Sequence, residues 1–206
     1  MSGALTMLPE APFAPGSLTV LIVYAVAVSV TPGQNTLHVL SSCKTFGFIR
    51  NVEHLLGTLW GTYLTICLVG VVLGGLFAAA PGVQDVIRVS AGFYMLWLAW
   101  RLWRNGVPPA VQALRPLRFG EAVLRQLGNS QGWLLAVAVI AGFVPAGDLY
   151  LERLLAVALV FCLVMLPALA LWATCGTMLH SGMRFRPRLR RGIATVTAAM
   201  ALLFWI

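Results

Sequence analysis

The sequence predicts an all-α, polytopic membrane protein of six transmembrane helices, arranged as two inverted three-helix halves with both termini outside. Of 206 residues, 60% are hydrophobic and only 10% are charged. A soluble domain is roughly 25% charged, and a chain of this length could not bury so much apolar surface. The whole chain, 1–206, is therefore predicted to be a single transmembrane domain. A soluble enzyme, a disordered tail and a disulfide-stapled secreted module are excluded.

Six segments can be assigned as spans, because a bilayer core of ~30 Å takes about 20 helical residues. Four are uncharged over a sufficient length: 11–43, 55–84, 126–147 and 154–183. A fifth, 86–103, crosses if Arg88 and Arg101 extend their guanidinium groups to opposite interfaces. The sixth, 192–206, would rise only ~22 Å as a helix and spans if the bilayer thins. Residues 1–16 contain no Lys or Arg, so the first run is predicted to be a retained span and not a signal peptide.

The cations predict the orientation. Twelve of them lie between spans one and two, three and four, or five and six, and only Arg88 and Arg153 lie on the other side. Short cytoplasmic loops are enriched in Lys and Arg, so both termini are expected outside. The net charge of +8 is then a topology signal, since nucleic-acid binding would need a basic face on a water-exposed fold.

A polar linker divides the chain into two halves of three spans each. The linker is 105–118, and the halves are 1–104 and 119–206. An odd number of spans per half places homologous halves upside down relative to each other, which is a common transporter plan.

Polar interruptions occur in the first span of each half. The residues concerned are Thr31, Pro32, Gly33, Gln34 and Asn35 in the first, and Asn129, Ser130 and Gln131 in the second. Pro32 removes a backbone donor, and Gly33 tolerates dihedrals that other residues avoid. Polar backbone freed at membrane depth must meet protein, water or a ligand. One break alone would favour a kink satisfied by neighbouring helices, but two corresponding breaks predict a midplane binding site.

Two further groups of residues have alternative interpretations. Arg125 either forms a salt bridge with Glu121, four residues earlier, or reaches the second break, where it would suit a carboxylate. Four glycines of span two are expected to let another helix approach closely: Gly57, Gly61, Gly70 and Gly74.

The three histidines of the chain are His38, His54 and His180, and each stands near the end of a span. They are interpreted as interfacial polar residues, or as a proton relay, because histidine titrates near neutral pH.

Several motifs carry a family resemblance. They are Thr31-Pro-Gly-Gln-Asn35, Lys44-Thr-Phe-Gly47, Gly57-Thr-Leu-Trp-Gly61, the run 92–101, Phe119-Gly120 leading to 127–132, and Phe143-Val-Pro145. In order and spacing these resemble the LysE/RhtB family of amino-acid exporters. The resemblance implies a secondary transporter of the bacterial inner membrane that exports an amino acid or related metabolite, is driven by the proton gradient and works by alternating access. It is compatible with a homodimer, and it implies that Pro32, Gly33, Asn35 and Asn129 lie on or beside the translocation path. Relatives usually have Pro at the position of Gln34, and Pro then Lys at those of Ser130 and Gln131.

Three other functions of a membrane chain are alternatives to export. A thiol–disulfide carrier needs cysteines near the breaks, but the four cysteines are Cys43, Cys67, Cys162 and Cys175. A metal-ion exporter needs ligands at membrane depth, and a non-transport assembly module is a third alternative. No enzymatic motif, cofactor or metal site is predicted. The expected partners are a small-molecule substrate and the lipid bilayer, and no nucleic acid.

Overall fold

The computed structural model describes residues 17–80, 82–105, 114–178 and 195. Within these ranges the chain forms helices and turns but no strand. The helices are α1 (Ser17–Val30), α2 (Gln34–Phe46), α3 (Val52–Ala79), α4 (Gly82–Asn105), α5 (Phe119–Leu127), α6 (Ser130–Phe143) and α7 (Tyr150–Met178), with a 3-10 turn at Ile49–Asn51 between α2 and α3. The first interruption divides the first predicted span into α1 and α2. The second separates α6, in the fourth predicted span, from α5, which lies almost entirely before the predicted start of that span at residue 126.

Several predicted segments lie outside the described residues. They are the N-terminal residues 1–16, most of the linker (106–113), the end of the fifth span (179–183) with His180, and the sixth span, 192–206, apart from Thr195. The count of six spans and the placement of the termini therefore stay predictions. Two elements are each long and apolar enough to cross a membrane: α3 together with the turn before it, and α7. The bent pair of α1 and α2 is a third such element if it forms one span.

The first interruption bends its span by 51° between α1 and α2. The amide of Thr31 still donates to the carbonyls of Ala27 and Val28, at 3.1 and 3.2 Å, but Pro32 has no N–H with which to continue the helix. Gly33 has φ −103° and ψ −176°, an extended conformation open to any residue. The expectation that Gly33 supplies unusual dihedrals is therefore wrong, and Pro32 accounts for the break.

The second interruption separates α5 from α6. The amide of Gly128 closes the last turn of α5 on the carbonyl of Leu124, at 2.9 Å. Asn129 then leaves the helical region, with φ −85° and ψ 100°. Its carbonyl accepts from the amide of Trp133 at 3.2 Å, so α6 begins immediately after it.

The boundaries of the second and third spans differ from those predicted. Helix α3 ends at Ala79, not at 84, and α4 already begins at Gly82. Ala80 is extended, with φ −146° and ψ 82°, because the residue before a proline is disfavoured in the helical region and Pro81 follows. The uncharged run in the sequence continues across this turn, so hydropathy alone does not locate it.

Helix α3 lies at the centre of the described bundle and packs against α5, α6 and α7, while α1 and α2 pack against α7 and α4 packs against α6. Gly57 and Gly61 of α3 lie against α5, and a Cβ atom on Gly61 would come within 2.6 Å of the Cβ of Gln126. Gly70 and Gly74 lie against Leu154 and Tyr150 of α7. Each broken span thus contacts the unbroken helix of the other half.

Candidate functional site

A cavity of about 90 Å³ lies where the two helix breaks meet. Its polar lining comprises Ser29, Thr31, Gln34, Asn35, Thr36, Thr62, Tyr94, Gln126, Asn129 and Gln131. Its apolar wall includes Val28, Leu135, Phe161, Met165 and Leu169. A buried water needs about 10–15 Å³ on this measure, so the cavity has room for a small metabolite. No Asp, Glu, Lys or Arg of the described residues lines it.

Side chains of the two breaks contact each other directly. The Nδ2 of Asn35 donates a hydrogen bond to the Oε1 of Gln126, and the Nδ2 of Asn129 donates to the same oxygen at 3.4 Å. Gln131 lies against the first break, because a Cβ atom on Gly33 would be 3.4 Å from both amide heteroatoms of the Gln131 side chain. The first spans of the two halves are therefore joined through amide groups.

Two buried oxygens in the lining have no hydrogen-bond partner. They are the Oδ1 of Asn129, whose residue is 8% exposed, and the Oγ of Ser29. Most buried polar atoms in proteins are hydrogen-bonded, and leaving one unpaired costs about 1–3 kcal/mol. Acceptors left open beside a cavity can bind a donor on a ligand, such as an ammonium group.

Two helices begin at the cavity. Gln34, Asn35 and Thr36 are the first residues of α2, and Gln131 and Gly132 belong to the first turn of α6. The first N–H groups of a helix lack partners within the helix and carry partial positive charge, so helix N-termini bind anions. The cavity therefore presents donors suited to a carboxylate as well as acceptors suited to an ammonium group.

The structure brings most of the sequence-predicted site residues to the cavity. Those that line it are Thr31, Gly33, Gln34, Asn35, Asn129 and Gln131. Pro32 is buried at the break but does not line the cavity, and Ser130 and Arg125 are exposed and outside it.

Glu121 does not pair with Arg125, contrary to one of the two sequence interpretations. Its carboxylate forms two bonds with the guanidinium of Arg115, at 2.6 and 2.8 Å, and accepts from the amide of Arg118 at 3.0 Å. The bond with Arg115 is the main reason that the pKa of Glu121 is lowered to about 2. The pairing holds the start of α5 beside the linker.

Five polar lining residues were not among the predicted site residues: Ser29, Thr36, Thr62, Tyr94 and Gln126. Gln126 is 3% exposed and links Asn35 to Asn129. Its position three residues before Asn129 makes it a candidate, but Arg125, four residues before Asn129, is an equal candidate by spacing, so the sequence does not choose between them. Among the described residues, no group of three or more His, Cys, Asp or Glu side chains could hold a metal ion.

Similarity to known proteins assigns the chain to a family. The model of the LysE type translocator family matches residues 26–206. The chain belongs to this family. The resemblance to LysE/RhtB exporters expected from the sequence is thereby confirmed, and so is the expectation of a transporter that is not an enzyme.

Relatives of this LysE type translocator include efflux proteins of enteric bacteria. The cysteine/O-acetylserine efflux protein of Escherichia coli O157:H7 is 23% identical over 162 residues, which cover 79% of this chain and 83% of that protein. The proteins of the same name from Escherichia coli K12 and Shigella sonnei Ss046 are 22% identical, with the same coverage. No solved structure shows significant similarity to the chain. Family and relatives together support an amino-acid exporter integral to the membrane.

Proposed function

We propose that this translocator exports a small amino acid with an uncharged side chain across the bacterial inner membrane. Transport is proton-coupled, and the binding site is the cavity between the two helix breaks. The observation that carries this proposal is the shared oxygen of Gln126, which accepts from Asn35 of one half and from Asn129 of the other. A binding site between the halves is where alternating access needs one, because both halves can move relative to it.

The uncharged lining favours a zwitterion. Burying an unpaired charge costs several kcal/mol, so a substrate with net charge would need a counter-charge, which the lining does not provide. In a zwitterion, the carboxylate would lie at the N-termini of α2 and α6, and the ammonium group would donate to the Oδ1 of Asn129. The side chain would then lie against Leu135, Phe161 and Met165. Cysteine and O-acetylserine, named for the relatives, belong to this class.

The packing of the helices supports two structurally related halves, and their inversion, with both termini outside, follows in this proposal from the odd number of spans and the distribution of cations. Helices α1 and α2 pack against α7, and in the same way α5 and α6 pack against α3. In each half, the two helices on either side of the break thus pack against the helix that follows the break in the other half. Rocking of the halves at these two contacts would open the cavity to each side in turn. A homodimer stays a prediction from the family resemblance.

The test is export of radiolabelled O-acetyl-L-serine from proteoliposomes containing the full chain. We expect Asn129→Ala and Gln126→Leu to lower the export rate at least tenfold. A hydrogen bond to a charged group is worth about 1.5–3 kcal/mol, which corresponds to a factor of about 10–100.

Gln84→Leu provides the matched control. Gln84 is also a partly buried glutamine, but its Nε2 donates to the carbonyls of Ala141 and Val144, at 3.4 and 3.2 Å, away from the cavity. The export rate of the Gln84→Leu variant should stay within about twofold of wild type. Unchanged export in both cavity variants would contradict the site, and equal export of L-lysine and O-acetyl-L-serine by the wild type would contradict the zwitterion preference.

A further inference from the structure

Polar side chains, all but one of them buried, lie along α2 and α3 from the Ile49–Asn51 turn to the cavity. We call this set the polar seam, and it consists of Asn35, His38 and Ser42 of α2 together with Asn51, His54, Thr58 and Thr62. The residues are three or four positions apart on each helix, so each set occupies one helix face. Polar and ionisable residues within a membrane are costly and are mostly functional.

Two imidazole rings occupy the middle of the polar seam. His38 is 7% exposed and His54 is 1% exposed, so both rings are buried between helices, and their depth in the membrane stays a prediction. Their ring centroids are 5.2 Å apart and the rings meet edge to face at 78°. The Nδ1 atom of each ring is buried without a hydrogen-bond partner. An unpaired ring nitrogen of a neutral imidazole can accept a proton.

Between this pair and the cavity, the polar seam continues along α3 with Thr58 and Thr62. The hydroxyl of Thr58 donates to the carbonyl of His54 at 2.8 Å, and the hydroxyl of Thr62 donates to the carbonyl of Thr58 at 2.9 Å. Each hydroxyl oxygen keeps a lone pair for a further donor, and Thr62 lines the cavity.

The other end of the polar seam leads toward the basic loop after α2. There the hydroxyl of Ser42 donates to the Oδ1 of Asn51 at 2.5 Å, and the Nδ2 of Asn51 donates to the carbonyl of Gly47 at 2.7 Å. The seam therefore joins the cavity to the side that the cations assign to the cytoplasm.

The charge that acts on both imidazole rings comes from one helix, α5. Arg125 of α5 is the charged group that acts on both rings. Helix α7, which packs on α2 and α3, carries no charged residue after Arg153 among its described positions. Glu53 is exposed, and its carboxylate accepts from the amide of Phe119 at 3.3 Å.

The remaining groups near the pair belong to α2 and the following turn. Lys44 and Arg50 are exposed, and Cys43 of α2 is a buried neutral thiol. Two imidazolium ions beside Arg125 would repel each other and the guanidinium group. The pair can therefore hold at most one proton at a time.

We propose that His38 and His54 form the proton-binding site of this exporter and that the polar seam carries the proton between this site and the cavity. The inference rests on the proposed export function. A proton entering through the outward-facing cavity binds an imidazole nitrogen and makes one imidazolium. It leaves to cytoplasmic water past Ser42 and Asn51, and the ring returns to its neutral form as substrate moves outward.

The experiment compares two modes of transport in proteoliposomes, with radiolabelled O-acetyl-L-serine as the probe. A pH gradient drives accumulation only if protons move, whereas exchange of labelled for unlabelled substrate needs no net proton movement. We expect His38→Gln and His54→Gln each to lower gradient-driven accumulation at least tenfold and to keep exchange within about threefold of wild type. Cys43→Ala, a buried change on the same helix, should keep both modes.

Each other outcome overturns this inference or the proposed function in a recognisable way. If either histidine variant retains gradient-driven accumulation, the proton site is overturned. It is also overturned if both variants lose exchange as well as accumulation, because that result indicates a structural role for the histidines. Wild-type transport that ignores the pH gradient would overturn both the proton site and the proton coupling of the proposed function, while leaving amino-acid export and its binding site intact. Absence of wild-type transport for O-acetyl-L-serine, L-cysteine and L-alanine would instead contradict the proposed function. As a second readout, substrate binding to purified wild type should change the number of bound protons, detected with a pH dye, and both histidine variants should lose this signal.

Discussion

At the scale of single residues, the amide side chains determine what the cavity can bind. Asn35 stands in the first turn of α2 and donates to Gln126, so its amide group both shapes the cavity and joins the two halves. A carboxylate at this position would remove the donor and place negative charge beside the Oε1 of Gln126. It would also repel the carboxylate of a zwitterionic substrate.

The substitution Asn35→Asp is therefore expected to lower export of O-acetyl-L-serine at least tenfold without unfolding the protein. An acidic residue in the first turn of a helix interacts favourably with the helix dipole, so α2 should remain stable. Export from proteoliposomes and thermal unfolding followed by circular dichroism are the two measurements. An export rate equal to that of wild type would show that Asn35 does not contact the substrate.

Residue identities at the breaks could be predicted from the sequence, but the direction of each side chain could not. Asn35, Asn129 and Gln131 were recognisable because amides are rare in apolar runs. Arg125 and Gln126 are neighbours in sequence, yet consecutive helical residues point about 100° apart. Only the packing of α5 on α3 decides that Gln126 faces the cavity and Arg125 does not.

At the scale of helices, close contacts between backbones hold the site together. Gly61 of α3 lets α5 approach until the Cβ and Cγ of Gln126 are 2.6 and 2.9 Å from where a Cβ atom on Gly61 would stand. A Cβ atom on Gly75 of the same helix would meet nothing within 4 Å. Alanine substitutions at these two glycines therefore distinguish the effect of packing on stability from the effect of helix propensity.

We expect Gly61→Ala to destabilise the protein and to reduce export, because overpacking costs about 1–3 kcal/mol and would displace Gln126. For a chain of this size the melting temperature should fall by roughly 2–4 °C per kcal/mol. Gly75→Ala gains helix propensity of up to ~1 kcal/mol and should melt at or above the wild-type temperature. Equal melting temperatures for the two variants in detergent would contradict the close contact between α3 and α5.

At this scale the helix breaks could be predicted from the sequence, but the end of α3 and the pairing of the helices could not. Pro32 makes a break predictable because it lacks an N–H group, and the amide side chains around it indicate a binding site. The end of α3 at Ala79 was less predictable, because small apolar residues continue through the turn. The close pairing of α3 with α5 depends on contacts between residues far apart in the chain, and no local pattern specifies these.

At the scale of the whole molecule, the distribution of cations predicts orientation. Arg101 lies 5.4 Å from the ring centroid of Trp97, and Arg104 lies at the same distance from that of Trp100. Tryptophan and arginine together at one end of α4 are typical of a membrane interface on the cytoplasmic side. Leu114, beyond α4, is 95% exposed, and Asp148, before α7, is exposed at the opposite end of the bundle.

Single cysteines introduced by Leu114→Cys and Asp148→Cys into a cysteine-free chain should report this orientation. A membrane-impermeant maleimide is expected to label the Asp148→Cys variant in intact spheroplasts and the Leu114→Cys variant only after lysis. The reverse pattern would place both termini in the cytoplasm. The cysteine-free chain should itself export O-acetyl-L-serine at close to the wild-type rate, since loss of all export would favour the thiol–disulfide alternative.

The amide oxygen of Gln126 has a consequence for the order of events during a transport cycle. It has two lone pairs, and the donors from Asn35 and Asn129 already occupy both. An ammonium group that binds the open Oδ1 of Asn129 would reorient the same side chain whose Nδ2 donates to this oxygen. Substrate binding would then weaken the hydrogen bond that joins the two halves, so the occupied carrier would change its facing more readily than the carrier without substrate.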